Sequence, residues 1–149
     1  MSSQRPTHKK GLAERQAKKE SDFVIDLARS RIRVEGWKAE HIHQVLDTLA
    51  HDCVVTECYG PTYKSRDRVR QWMETWFAEG GRVLQWDILS FVGGQNSAAI
   101  EWAFRCWWQG RELSFDGARI VRFAGEKIEA LREYTTTEPL YEWQGEWKS

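Results

Sequence analysis

The chain has 149 residues, and its 22 lysines and arginines are balanced by 22 aspartates and glutamates. That length supplies one domain with a substantial core and demands no second. The charge balance removes any whole-molecule attraction to nucleic acid or to an anionic membrane.

Residues 1–20, MSSQRPTHKKGLAERQAKKE, are polar and basic with almost nothing to bury, so a flexible N-terminal tail is expected. From Ser21 to Arg33, Phe23, Val24, Leu27, Ala28 and Ile32 recur at helical spacing behind a Ser21-Asp22 cap, which predicts a first helix. Gly36 interrupts, and Lys38 to Ala50 repeats the apolar stripe through Ile42, Val45, Leu46 and Leu49, a second helix. His41 and His43, two apart on that helix, point in different directions and do not share a metal.

Cys53 to Tyr59 reads as a short strand closed by Gly60-Pro61, with Glu57 as its odd member: on the wet face, or aimed into a cavity. Ser65 to Glu79 is the clearest helix, with Val69, Trp72, Met73, Trp76 and Phe77 on one stripe and Gly80-Gly81 as its stop. Four alternating strands follow, over 82–92, 97–108, 112–123 and 127–134. They are separated at Gly93-Gly94, Gln109-Gly110 and Gly125-Glu126, where residues tolerant of positive φ permit tight reversals. Three helices followed by a meander make an α+β domain over 21–149, a curved antiparallel sheet plus one short strand, forming a cone with its apolar interior between helices and sheet. The last residues keep Leu140, Tyr141, Trp143 and Trp147, too aromatic for a disordered end. Such a tail lies across the sheet, closes the pocket or joins a dimer contact.

Cys53, Cys58 and Cys106 cannot all be paired with one another and lack the spacing of a metal knuckle, so no metal is expected. Reduced thiols, the absence of an apolar run near the roughly 20 residues of a membrane span, and no secretory apolar core point to the cytoplasm. Nine tryptophans are the compositional oddity, since indoles usually serve cores, apolar pockets or interfaces.

The element order, together with AAIEWAF, FDGARIVRF and the closing KIEALREY, resembles the SnoaL-like branch of the nuclear transport factor 2-like superfamily over roughly 21–135. That superfamily holds isomerases, cyclases, dehydratases, epoxide hydrolases, transport adaptors and non-catalytic ligand binders. Against its ketosteroid isomerase members, AHDCVVTECYG places Glu57 where those enzymes carry an acidic base. Their first-helix tyrosine has no counterpart, because no tyrosine precedes Tyr59, and their protonated aspartate falls on Arg119, which cannot be a neutral acid donor. Steroid isomerisation is therefore not expected.

The resemblance also sets the strand faces. Trp102, Phe104, Cys106 and Trp108 would point into the cone, with Phe115, Gly117, Arg119, Val121 and Phe123 on the next strand and Leu131 and Glu133 on the last. Asp116 falls outside by strict alternation, and inside if a bulge occurs at Gly117. An Arg119–Glu133 cross-strand pair with Glu57 nearby is then the economical arrangement for three charges in an aromatic pocket. It is either a site, with Glu57, Arg119 and Glu133 catalytic, or a structural salt bridge. Trp72, Met73, Trp102, Phe104, Cys106, Trp108, Phe115, Asp116, Val121 and Leu131 complete the expected pocket.

On the convex face Glu101, Ala103, Arg105 and Trp107 would suit a homodimer, a Glu101–Arg105 pair included. Three functions follow. The first is an enzyme needing no metal or organic cofactor, with Glu57 as acid or base and Arg119 holding developing negative charge on a hydrophobic or aromatic substrate. The second is a binder in which Arg119 clasps an anionic group of such a ligand. The third is an interaction module whose cone is plugged by Trp72, Trp102 and Trp108.

Overall fold

The computed structural model describes residues 33–148. The expected basic tail and nearly all of the expected first helix lie outside the described residues. Helix α1 (residues 33–38) buries Arg33, Val34, Gly36 and Trp37. Helix α2 (Ile42–Leu46) buries Val45 and Leu46.

The second helix is thus much shorter than its apolar stripe predicts. Val45, Leu46 and Leu49 satisfy helical spacing, but the helix stops at Asp47, and Thr48 turns its hydroxyl back onto the Val45 carbonyl at 2.6 Å. The Thr48 carbonyl accepts from the Ile128 N–H at 2.8 Å, which draws the following residues into the sheet. Leu49 and Ala50 accordingly begin strand β1 (Leu49–Thr56), which ends before Glu57 rather than at Tyr59.

Strand β2 (Thr62–Lys64) pairs antiparallel with β1, an element too short to announce itself by alternation. Helix α3 (Arg66–Ala78) follows. Its start is fixed by Ser65, whose hydroxyl accepts from the Arg68 N–H at 3.2 Å while its own N–H donates to the Cys53 carbonyl at 2.8 Å. Val69 and Met73, four apart, are buried against the core, and Trp72, Trp76 and Phe77 sit half-buried beside them.

The meander is β3 (Arg82–Gly93), β4 (Ser97–Trp108), β5 (Arg111–Ala124) and β6 (Lys127–Thr135), within two residues of the sequence expectation at every end. Gln109 and Gly110, at φ of 49° and 78°, form the two-residue link whose twist suits a hairpin. The sheet order is β2-β1-β6-β5-β4-β3. Every neighbouring pair is antiparallel except β1 and β6, which run parallel with Val55 opposite Leu131. The result is an α+β cone, a curved six-stranded sheet with the helices against its concave face.

Strand alternation sorts the faces. Ile100, Trp102 and Cys106 are buried, whereas Glu101, Arg105 and Trp107 are exposed. The expected Glu101–Arg105 pair does not form. Glu101 accepts from the Ser90 hydroxyl at 2.6 Å and Arg105 pairs with Glu112 at 2.9 Å, because residues across the strands are nearer than one four places along the same strand. Of the three places expected for the aromatic C-terminal tail, the first two are not taken within the chain. Residues 136–148 are exposed, and the tail packs on itself, Trp143 against Trp147 at 5.4 Å between ring centroids, rather than on the sheet. No helix among the described residues is long and apolar enough to cross a membrane.

Candidate functional site

The open end of the cone holds a cavity of about 400 Å³. Its helical wall is Trp37, Trp72 and Trp76, with Trp37 and Trp72 ring centroids 4.9 Å apart. The sheet wall is Trp86 on β3, Trp102, Phe104, Cys106 and Trp108 on β4, and Leu113 and Phe115 on β5. Edge-to-face contacts hold this wall rigid, Trp86 against Phe104 at 5.2 Å and Trp102 against Phe115 at 5.9 Å. Each such pair adds about 0.5–1.5 kcal/mol beyond the area it buries. The cone is therefore hollow at its mouth: Trp72, Trp102 and Trp108 line the space without plugging it.

Glu57 follows the last residue of β1 and lies in the cavity wall. Its backbone makes the turn that positions it, with its N–H donating to the Pro61 carbonyl at 2.9 Å and its carbonyl accepting from the Gly60 N–H at 3.1 Å. The Tyr63 hydroxyl donates to Glu57 Oε1, and the Tyr63 ring is held in turn by stacking on Trp72 at 4.3 Å. Burial raises the Glu57 pKa above the ordinary carboxyl value. The Tyr63 hydrogen bond opposes the rise, the Glu133 charge adds to it, and Arg33 opposes it.

Glu133 on β6 lines the cavity, and Arg119 stands opposite it on β5, with Nη2 3.7 Å from Glu133 Oε1. Arg119 nevertheless does not reach the cavity. It is 2% exposed and lies with its guanidinium carbon 4.5 Å from the Trp86 ring centroid, so cavity-wall indoles separate it from the open space. Burial, with the Arg33 charge beside it, pushes its pKa down to about 9.

The guanidinium that does line the cavity belongs to Arg33, on α1. Its Nη1 is 3.9 Å from the same Glu133 oxygen, and burial lowers its pKa, against the opposing pull of Glu133. Arg33 was not among the residues the sequence singled out, nor were Trp37, Tyr63 and Trp86, whereas Trp76 lies on the helix stripe the sequence marked. The spacing of Arg33 and Trp37, four apart on one helix face, was the available signal.

Three further expected pocket residues belong to the core instead. Met73, Val121 and Leu131 are fully buried beneath the cavity and do not line it. Asp116 is exposed on the outer face, because β5 pairs with β4 and β6 in unbroken register through Gly117 and no bulge turns it inward. Trp72, Trp102, Phe104, Cys106, Trp108 and Phe115 do line the space, with Glu57 and Glu133.

Solved structures with the same architecture share little sequence with this chain. A protein from Catenulispora acidiphila described as having a ketosteroid isomerase-like fold, in complex with trimethylamine, is 17% identical, with a TM-score of 0.66 over 73% of this chain and 85% of that one. An epoxide hydrolase of the LEH-like type from M. tuberculosis is 11% identical, with a TM-score of 0.68 over 77% and 85%. A putative polyketide cyclase from Xanthomonas campestris pv. campestris is 12% identical, with a TM-score of 0.65 over 75% and 90%. At such identities the likeness concerns the fold. A comparison with curated protein sequences found no match. The model of the SnoaL-like domain family matches residues 32–131, which include every strand but the end of β6 and both cavity walls. The chain belongs to the SnoaL-like domain family.

Proposed function

We propose that the cavity binds a small, largely apolar molecule and that Glu57 moves a proton on it. The observation that carries this reading is a carboxyl group set in an aromatic cavity wall, with a pKa raised by burial. Such a group at neutral pH is closer to an even balance of acid and base than a solvated glutamate, which suits proton transfer in both directions. Isomerisation, cyclisation, dehydration and hydrolysis all need such a transfer beside a polarised oxygen. The similar folds described as an epoxide hydrolase and a putative polyketide cyclase support this range of reactions.

A non-catalytic binder of the same ligand class is favoured by one observation, the engagement of Glu57 Oε1 by the Tyr63 hydroxyl. Proton exchange separates the two. With 4-phenyl-2-butanone in D2O, Glu57 acting as a base incorporates deuterium beside the carbonyl, followed by mass spectrometry. Glu57→Gln should slow this by about 10²–10⁴-fold while tryptophan fluorescence reports unchanged binding. Binding without protein-dependent exchange establishes the binder, and the absence of both removes the ligand reading.

We further propose a homodimer through the convex sheet face, where Trp107, Ile120 and Tyr134 are exposed. Cys53, Cys58 and Cys106 are free thiols, which suits the cytoplasm.

A further inference from the structure

The buried polar atoms of this molecule are unequally served. Among the described residues, those left without a hydrogen-bond partner are Nε, Nη1 and Nη2 of Arg33, Nε and Nη2 of Arg119, and the indole nitrogens of Trp37, Trp86 and Trp102. All of them are donors, and none is an acceptor. All but the two on Arg119 belong to residues that line the cavity. A buried donor without a partner is costly, and native structures leave few of them.

Charge tells the same story. Arg33 is 1% exposed and is the one basic side chain among the described residues lining the cavity. Its nearest carboxylate oxygen, Glu133 Oε1, is beyond hydrogen-bonding distance at 3.9 Å and also faces Arg119 at 3.7 Å. One carboxylate thus answers two guanidiniums. The other carboxyl close by, Glu57, accepts from Tyr63 rather than from Arg33. Among the described residues, neither carboxyl therefore satisfies the Arg33 guanidinium, which lines the cavity without a hydrogen-bond partner.

We propose that the cavity takes a monocarboxylate with an aromatic or apolar body, its carboxylate paired with the Arg33 guanidinium and its body between the indole walls. This rests on the reading of the cavity as a ligand site and specifies what enters it. A guanidinium presents two parallel N–H donors that match a carboxylate in one plane, so one such group satisfies two of the orphaned donors with a charged partner. A ketone supplies an acceptor and leaves the charge unanswered.

The test uses the full-length ¹⁵N-labelled protein and follows its indole N–H signals during titration with 4-phenylbutyrate, with its neutral isostere 4-phenylbutanamide, and with acetate. The acid should bind at least about tenfold more tightly than the amide, a difference of about 1.4 kcal/mol. Acetate should bind far more weakly, because it has no body to fill the cavity. In Arg33→Gln the acid should fall to the amide's affinity with the amide unchanged, and in Arg33→Lys, which keeps the charge and loses the fork, the preference should be intermediate. The amide titration also verifies that each variant is folded.

Equal binding of acid and amide by the wild type overturns the carboxylate inference and leaves the ligand cavity standing. An acid preference that survives Arg33→Gln overturns the assignment to Arg33. Acetate binding as tightly as 4-phenylbutyrate reduces the site to a simple anion site. No perturbation by any of the three overturns the inference and the cavity reading together.

Discussion

Removing the Glu133 carboxylate should cost this protein far more than removing either arginine it serves. Glu133 Oε1 lies 3.9 Å from Arg33 and 3.7 Å from Arg119, both guanidiniums are almost fully buried, and Glu133 itself is only 12% exposed. With an effective dielectric constant of about 20, each attraction is roughly 4 kcal/mol before desolvation is counted. Glu133→Gln leaves two buried cations without the carboxylate they share, and deleting one partner of such a group typically costs about 3–5 kcal/mol. At roughly 4 °C per kcal/mol for a chain of this size, the midpoint should fall by about 12–20 °C. Arg33→Met removes one of the two cations that share Glu133 and substitutes a flexible apolar chain, so the ligand-free protein should lose nothing or gain up to about 4 kcal/mol. The double variant should recover part of the Glu133→Gln loss. Urea unfolding of ligand-free protein, followed by tryptophan fluorescence at pH 7 and low salt, measures all three and yields the coupling energy. A Glu133→Gln loss below about 1 kcal/mol, or an Arg33→Met loss above it, would refute the reading of Glu133 as the carboxylate that both guanidiniums share.

Three other outcomes follow from the structure. Glu57 has its folded pKa raised above the unfolded value of about 4.3, so the native state holds its proton where the unfolded chain has released it. Its contribution is therefore intact below the unfolded pKa and is lost as pH rises to the folded one, so the stability gained by Glu57→Gln should be larger at pH 8 than at pH 4. Thermal melts of both proteins across that range check the sign, and a constant difference contradicts it. Gly117→Ala should destabilise by about 1–3 kcal/mol, since the added methyl meets the Tyr134 carbonyl oxygen and, at 2.6 Å, the Trp102 ring. A melt within about 2 °C of wild type would show that β6 gives way more easily than a packed strand should. Trp107→Glu places a charge on the exposed sheet face and should turn a sedimenting dimer into a monomer; a wild-type monomer at high protein concentration removes the dimer proposal.

The meander was legible because alternation and turn chemistry act within a few residues. Trp102, Phe104 and Trp108 lie on one face by period alone, and Gln109-Gly110 adopt the conformation their types favour. Arg119 was correctly placed on the inner face and opposite Glu133. What hid its separation from the cavity was Trp86. Register shifts between Val83 and Gln85 and between Ile88 and Ser90 interrupt the alternation of β3, and the indole they deliver lies over the guanidinium. Arg33 escaped notice for a different reason: at the end of an amphipathic stripe a basic residue ordinarily reaches solvent, and only tertiary packing buries it. The parallel pairing of β1 with β6, which brings Glu57 towards Glu133, joins distant segments that no local pattern connects.

That pairing also sets an order of events during synthesis. β1 leaves the ribosome early, yet one of its two neighbours is β6, the last strand made, with Leu49 opposite Ile128 and Val55 opposite Leu131. Until β6 arrives, β1 presents an unpaired edge and the helices have no complete sheet to lie on. The Glu133 carboxylate arrives on that same strand, so Arg33 and Arg119 have no counter-ion within the fold before then. Nascent chains arrested before β6 should therefore stay open and protease-sensitive, and the cavity should come into being in a single late step rather than grow with the chain.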